Sequence, residues 1–282
     1  MIAGRSASAR TLRGAALYAA VGAYVAFAVF PLFWTLKIAV TPTNLLYSEG
    51  ITVWPSAATL ANFWKVLRAS DFPRYFANSM IVSAATALVV TVIASAAGYA
   101  LSRFRFRGKP AVGFLLLLTQ TFPLVMVIPP IYRIFGALRL TDSLTGLVVI
   151  YTAFNIPFAS FLMQSFFDGV PRDLEEAAMV DGCTRAEALR RVILPLTLPG
   201  MGATVGFVFT AAWSELLFAL MLINDEGTKT FAVGLLDFIG KFAVDWGEMM
   251  AASVLGLVPA CLFFVLLQRY LVAGLTAGAV KG

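Results

Sequence analysis

Six stretches of this 282-residue chain contain no Asp, Glu, Lys or Arg: 14–36, 75–102, 110–132, 143–167, 192–214 and 249–268. Each runs to 20 residues or more, and a helix rising about 1.5 Å per residue needs roughly 20 residues to span the hydrocarbon of a bilayer. A chain inside lipid must satisfy its own backbone hydrogen bonds, which leaves helices or a closed barrel, and barrel strands show alternating blocks of about 10 residues. These runs are continuously apolar, so the sequence predicts an all-α membrane protein with six transmembrane helices. Composition agrees: 60% of residues are hydrophobic and 13% charged, against roughly 25% charged in a soluble domain.

The net charge of +6 invites a nucleic-acid reading, so the placement of the 21 basic residues decides. Thirteen fall at the N-terminus, between the second and third runs, between the fourth and fifth, and at the C-terminal end; eight fall on the other side. That bias follows the positive-inside rule, placing both termini in the cytoplasm and excluding a nucleic-acid partner. Arg5, Arg10 and Arg13 precede the first run, whose apolar core exceeds the roughly 7 to 15 residues of a secretory signal; it reads as a retained first helix. With no His and two cysteines, Cys183 and Cys261, neither a disulfide framework nor a metal site is expected, and both thiols read as structural.

The spans are expected at about 14–36, 75–102, 110–132, 143–167, 197–223 and 249–270, forming one transmembrane domain over 1–282 with a cytoplasmic loop at 169–196 and outer loops at 37–74 and 224–248. The first outer loop, with Pro42, Pro55, Phe63, Trp64, Phe72 and Pro73, is expected to hold one short interfacial helix. The second carries five acidic residues against Lys229 and Lys241, and its aromatics, Phe238 and Trp246 among them, read as a contact surface. Phe122-Pro123 and Pro129-Pro130 are expected to kink the third span, and the Gly202/Gly206 spacing suits close helix packing. Gly108-Lys109 and Gly240-Lys241 lack the rest of a phosphate-cradling loop, and without His no Ser-His nucleophile exists, so no catalytic site is expected. Glu215 alone interrupts an apolar span. A buried charge there costs about 2.5 to 3.5 kcal/mol on insertion scales, which makes it a functional candidate.

The most informative segment is 169–200. Pro171 precedes Asp173, Glu175 and Glu176, carboxylates suited to a helix N-terminus. Gly182 suits the left-handed position that ends a helix, and Thr184-Arg185-Ala186-Glu187 fits a capping box opening a second one. Two short helices about a glycine turn make a rigid knob, with Ala177 and Ala178 small enough for close docking in a groove.

The run Glu176-Ala177-Ala178, then Gly182, then Val192-Ile193-Leu194-Pro195 resembles the EAA loop of permease subunits of binding-protein-dependent ABC importers, with Val192 standing where the family has Ile. The resemblance covers nearly the whole chain and is greatest to the maltose-type carbohydrate permeases. Asn78-Ser79, Asn155-Ile156-Pro157, Phe166-Phe167-Asp168-Gly169-Val170-Pro171 and the C-terminal 274–282 segment support that subclass; Trp213-Ser214-Glu215-Leu216 departs from the family's pattern at Ser214 and Leu216. The resemblance implies the type I importer permease fold in the bacterial cytoplasmic membrane. It also implies a second homologous permease, two ATPase subunits carrying ATP and Mg, an extracytoplasmic sugar-binding protein, and a sugar substrate of the trehalose or maltose class. On it, Glu176, Ala177, Ala178, Asp181 and Gly182 couple to the ATPases, and Thr276, Gly278 and Lys281 reach toward the ATPase dimer. Asn155, Trp213 and Glu215 are assigned to the translocation path, and Phe238 and Trp246 to the binding protein. No cofactor or metal is expected on this chain itself. Read from the residues alone, an ion-coupled secondary transporter using Glu215, or an ABC permease for a non-sugar solute, stays open.

Overall fold

A computed structural model describes residues 3–240 and 243–279, with side chains over 13–240, 243–266 and 268. The chain is built from helices: α1 (Ala3–Ala39), α2 (Thr43–Ser48), α3 (Ala61–Arg68), α4 (Phe72–Arg103), α5 (Lys109–Thr119), α6 (Leu124–Ala137), α7 (Leu144–Asp168), α8 (Arg172–Val180), α9 (Arg185–Ala188), α10 (Leu194–Leu196), α11 (Leu198–Trp213), α12 (Leu217–Leu222), α13 (Phe231–Gly234) and α14 (Trp246–Ala279). Among the described residues the only bridge of β type pairs Ile239 with Val244. Four helical segments are long and apolar enough to cross a membrane: Arg13–Ala39, Phe72–Arg103, Leu144–Asp168 and Trp246–Leu266. Two bent pairs raise the number to six if each is one span: Lys109–Thr119 with Leu124–Ala137, bent by 96°, and Arg185–Leu196 with Leu198–Trp213, bent by 70°.

The third apolar run is therefore broken, where a kinked but continuous helix was expected. Pro123 has no N–H and disfavours helical backbone at Phe122, while the Thr119 and Thr121 hydroxyls donate to Leu116 O and Leu118 O, tying off the last turn of α5. Pro129 and Pro130 sit inside α6. The fifth run is interrupted too. α11 stops at Trp213, and the chain resumes helix at Leu217.

The chain divides into two compact units. One comprises residues 1–71 and 238–255. Its fixed point is Asn62, 2% exposed, whose amide donates to Ala39 O and Thr41 O, both at 2.9 Å. The connection after α1 carries two short helices, α2 and α3, in place of the single one expected. Lys65 reaches Glu248 at 2.9 Å, and this bond, reinforced by the carboxylate's charge, holds the Lys65 ammonium above its ordinary pKa. Lys241 and Phe242 lie outside the described residues.

The other unit comprises 72–237 and 256–282 and is organised on α4, which packs along α7 and α11. Helices in lipid gain little from the hydrophobic effect and associate through close packing, which favours small residues at the seam. Gly98 is such a point: a Cβ there would lie 2.7 Å from the backbone nitrogen of Gln164 on α7. Nearby, Tyr151, Leu147, Phe218, Leu222 and Val82 form a continuous buried cluster. Trp213 joins an aromatic column, stacked on Phe231 and Phe209 with Phe76 at its edge, and its indole N–H donates to Gly256 O at 3.0 Å. Gly206 opens onto an apolar cavity of about 510 Å³ between α11 and α14.

Candidate functional site: a surface knob and a polar cavity

The knob follows the sequence reading closely at its termini. Pro171 is the N-cap of α8, and Asp173 and Glu175 lie in its first turn. Gly182 adopts φ +95°, and the N–H groups of Gly182 and Cys183 donate to Met179 O and Ala178 O at 3.1 and 3.0 Å. These bonds close a helix terminus that an L side chain at Gly182 would strain. At α9 both halves of the capping box form: Glu187 N–H donates to Thr184 Oγ1, and Thr184 N–H donates to Glu187 Oε2. Beyond it the helix widens into a π-helical turn, Leu189–Ile193, in which Leu194 N–H donates to Leu189 O five residues back, and it ends at Leu196, one residue past Pro195. A straight α-helix would drive the Pro195 ring against the Arg191 carbonyl, and the wider turn accommodates it.

Of the predicted coupling residues, Glu176, Ala177, Asp181 and Gly182 are exposed, alongside Val180 at 87% exposure. Ala178 differs: it is buried, on the inward face with Glu175. Glu175 is the anchor. One carboxylate oxygen accepts the Tyr99 hydroxyl at 2.6 Å, and the other pairs with Arg103 Nε at 3.1 Å. Arg103 also donates to Val170 O, Arg172 donates to Ser102 O, and Ser102 donates to Asp168. Arg185 lies 3.7 Å from Glu175 and over the Phe104 ring. The knob is thus bolted to the end of α4.

The polar cavity, about 260 Å³, opens where the two broken spans meet α7. Gln120 and Phe122 come from the first break, Asn155 and Tyr151 from α7, Glu215 and Phe218 from the second. Glu215 explains that second break: its carboxylate accepts the N–H groups of Phe218 and Ala219 at 3.0 and 3.2 Å, capping α12. Asn155 Nδ2 donates to Tyr151 O at 2.8 Å, and Gln120 donates to Phe154 O at 3.2 Å. Asn155 and Glu215 are therefore brought together in one cavity. Trp213, assigned with them, is 4% exposed in the aromatic column and does not line it.

In the 224–237 loop, Lys229 binds Asp237 and Glu226, and Tyr75 donates to Glu226 at 2.7 Å. The Lys229 hydrogen bond, then that of Tyr75, holds the Glu226 carboxyl below its ordinary pKa. Burial works against the Lys229 charge, but its bonds to Asp237 and Glu226 hold it higher on balance. Asn78 and Ser79, which lie within α4 and not at its start, pin this loop through Gly227 O, Lys229 O and Phe231 N. Phe238 is half-buried and Trp246 is 44% exposed, both in the 1–71/238–255 unit. Thr276 and Gly278 fall within α14, and Lys281 lies outside the described residues.

Residues 90–277 match the family described as "Binding-protein-dependent transport system inner membrane component". The chain belongs to that family. It is a transport component of the inner membrane, not an enzyme. The permease is 41% identical to the diacetylchitobiose uptake system permease protein DasC of Streptomyces coelicolor, over 90% of this chain and 92% of that one. It is 34% identical to the trehalose/maltose transport system permease protein MalG of Thermococcus litoralis, over 90% of this chain and 92% of that one. Its fold matches a subunit of a bacterial ABC transporter that imports the acidic polysaccharide alginate, with TM-score 0.77, 22% identity, and coverage of 93% of this chain and 97% of that one.

Sequence reasoning missed Glu175, Tyr99 and Arg103 in this permease, because a tether formed by residues 76 apart leaves no local pattern. It also missed Gln120 and Tyr151. For Gln120 a signal existed: Thr119-Gln120-Thr121 is a polar triplet inside an apolar run, directly ahead of Phe122-Pro123.

Proposed function

We propose that this permease is one of two membrane subunits of an ATP-driven importer for a di- or oligosaccharide of the trehalose or maltose class, with all of 1–282 acting as one transmembrane domain and both termini in the cytoplasm. Two partner ATPase subunits carry ATP and Mg. They dock on the exposed face of the knob, with Glu176, Ala177, Asp181 and Gly182 as its contacts, and Thr276, Gly278 and Lys281 reach the ATPase dimer from the C-terminal end. An extracytoplasmic binding protein delivers the sugar against Phe238 and Trp246, and Asn155 and Glu215 line the path.

The observation that carries this reading is the knob itself, which exposes small and apolar residues outward while Glu175 fastens it to α4. A surface hairpin with no partner would have no use for such an anchor. Alternating access follows if the ATPases bind ATP more tightly in one state: reversing a 1:99 equilibrium takes about 5.5 kcal/mol of differential affinity. The sugar class is supported by the diacetylchitobiose and trehalose/maltose permeases it resembles over nine tenths of its length.

The test is a mild-detergent pull-down of the tagged chain from its native membrane, with mass spectrometry and an ATPase assay. Recovery of a second permease and an ATPase, stimulated by a binding protein loaded with trehalose, maltose or diacetylchitobiose, is expected. Recovery of the chain alone, active in ion-driven flux, would overturn the assignment.

A further inference from the structure

The polar cavity holds one charged side chain. Glu215 lines it and no Lys or Arg does, among the described residues. Its two backbone donors, Phe218 N–H and Ala219 N–H, occupy one lone pair on each carboxylate oxygen and leave the others free. Beside it, Tyr151 is 2% exposed, with its hydroxyl in range to interact with the Glu215 carboxylate. Phe122 and Phe154 supply ring faces, and Asn155 and Gln120 supply amides. Carboxylate and amides suit the donor-and-acceptor hydroxyls of a sugar, and the rings suit its apolar C–H face.

We infer that Glu215 makes this cavity a charge selector that accepts neutral or cationic sugars and turns acidic ones away. The inference rests on the importer reading and adds to it the charge class of the cargo. The fold does not settle that class, since it is shared with a transporter of an acidic polysaccharide. A carboxylate with no Lys or Arg in the same cavity lining supports this class locally: an incoming carboxylate or sulfonate meets a like charge, while an uncharged hydroxyl meets an acceptor.

The experiment uses the assembled importer in proteoliposomes, with Cys183→Ser and Cys261→Ala in this chain and Ala211→Cys as a reporter in the cavity wall. Labelling is timed with a cationic reagent, trimethylammonioethyl methanethiosulfonate, and an anionic one, sulfonatoethyl methanethiosulfonate. The cationic-to-anionic rate ratio is expected to fall at least about tenfold on Glu215→Gln. Because Glu215 caps α12, a second variant guards against misfolding: Gln120→Lys adds a cation from another wall and should lower the ratio as well. A ratio that falls with Gln120→Lys but stays unchanged with Glu215→Gln, in an importer that still carries trehalose, maltose or diacetylchitobiose, would overturn the selector alone. If the intact importer carries none of these sugars, the importer reading fails and takes the selector with it.

Discussion

Replacing Glu175 by Ala removes the acceptor of the 2.6 Å bond from Tyr99 and strips the Arg103 guanidinium, 5% exposed, of its carboxylate. Removing one partner of a buried pair costs roughly 3–5 kcal/mol. Two features of the structure place this case near the lower end: Arg103 keeps its bond to Val170 O at 2.8 Å, and the third member, Arg185, is half exposed at 3.7 Å and adds little. About 3 kcal/mol, at about 1.4 kcal/mol per tenfold, weakens docking of the knob on α4 by roughly a hundredfold. Glu175→Gln keeps an acceptor for Tyr99 while losing the charge, and should cost about half as much. Native-state hydrogen exchange reads this directly. In the assembled importer, the amides of Leu174–Val180 should lose about 3 kcal/mol of protection with Ala and about 1.5 with Gln, while ATP hydrolysed per sugar imported rises in the same order. Protection within about 0.5 kcal/mol of the unmodified chain for both variants would refute the anchor, however transport behaves.

Gly182→Pro forces φ from +95° to about −65° at the turn of the knob; insertion should survive while uptake and ATP hydrolysis uncouple, and normal uptake in proteoliposomes would contradict the coupling role. Gly98→Ala sets a Cβ 2.7 Å from Gln164 N, so the α4–α7 seam should lose about 1–3 kcal/mol, visible as a lowered thermal unfolding temperature in detergent. Asp142 accepts backbone N–H bonds from Asn224 and Asp225, which hold its carboxyl below the ordinary range. Its folded pKa being depressed, the stabilisation is present above the unfolded value of about 3.9 and is lost as pH falls through the folded one. Protection of the Asn224 and Asp225 amides should fall with acid in that window, and Asp142→Asn should abolish the dependence.

What the sequence made legible was whatever is written locally. Charge-free runs located the spans, and Thr184 with Glu187, Pro171 and Gly182 located the knob's caps, because each signal lies within four residues of its effect. The breaks were half legible. Phe122-Pro123 marked one, but nothing distinguished it from Pro129-Pro130, which stays inside α6, since whether a proline breaks a helix depends on which neighbours take up the freed carbonyls. Glu215 was recognised as unusual without its role being visible: it ends one helix and caps the next. Trp213 carried the opposite lesson, since an aromatic assigned to the path is packed away from the cavity, held by Gly256 O, by Phe209 of its own helix and by Phe76 and Phe231 from two others. Long-range polar contacts, Glu175 to Tyr99 and Asn78 to the loop at 227–229, have no signature in a single sequence.

The π turn at Leu189–Ile193 fixes the phase between the knob and the span that follows it. One residue of an α-helix corresponds to about 100° of rotation and about 1.5 Å of rise. The extra residue in that turn therefore sets the azimuth at which α8 and α9 face outward relative to that span, as a spacer washer sets the angle of a threaded fitting. Deleting Arg190 would let the turn close to a regular α-helix and swing the upstream face through roughly that angle, while leaving Glu176, Ala177, Ala178 and Gly182 in place. The identity of the knob's exposed residues and their bearing are thus set by separate parts of the chain, and the turn at Leu189–Ile193 carries the second.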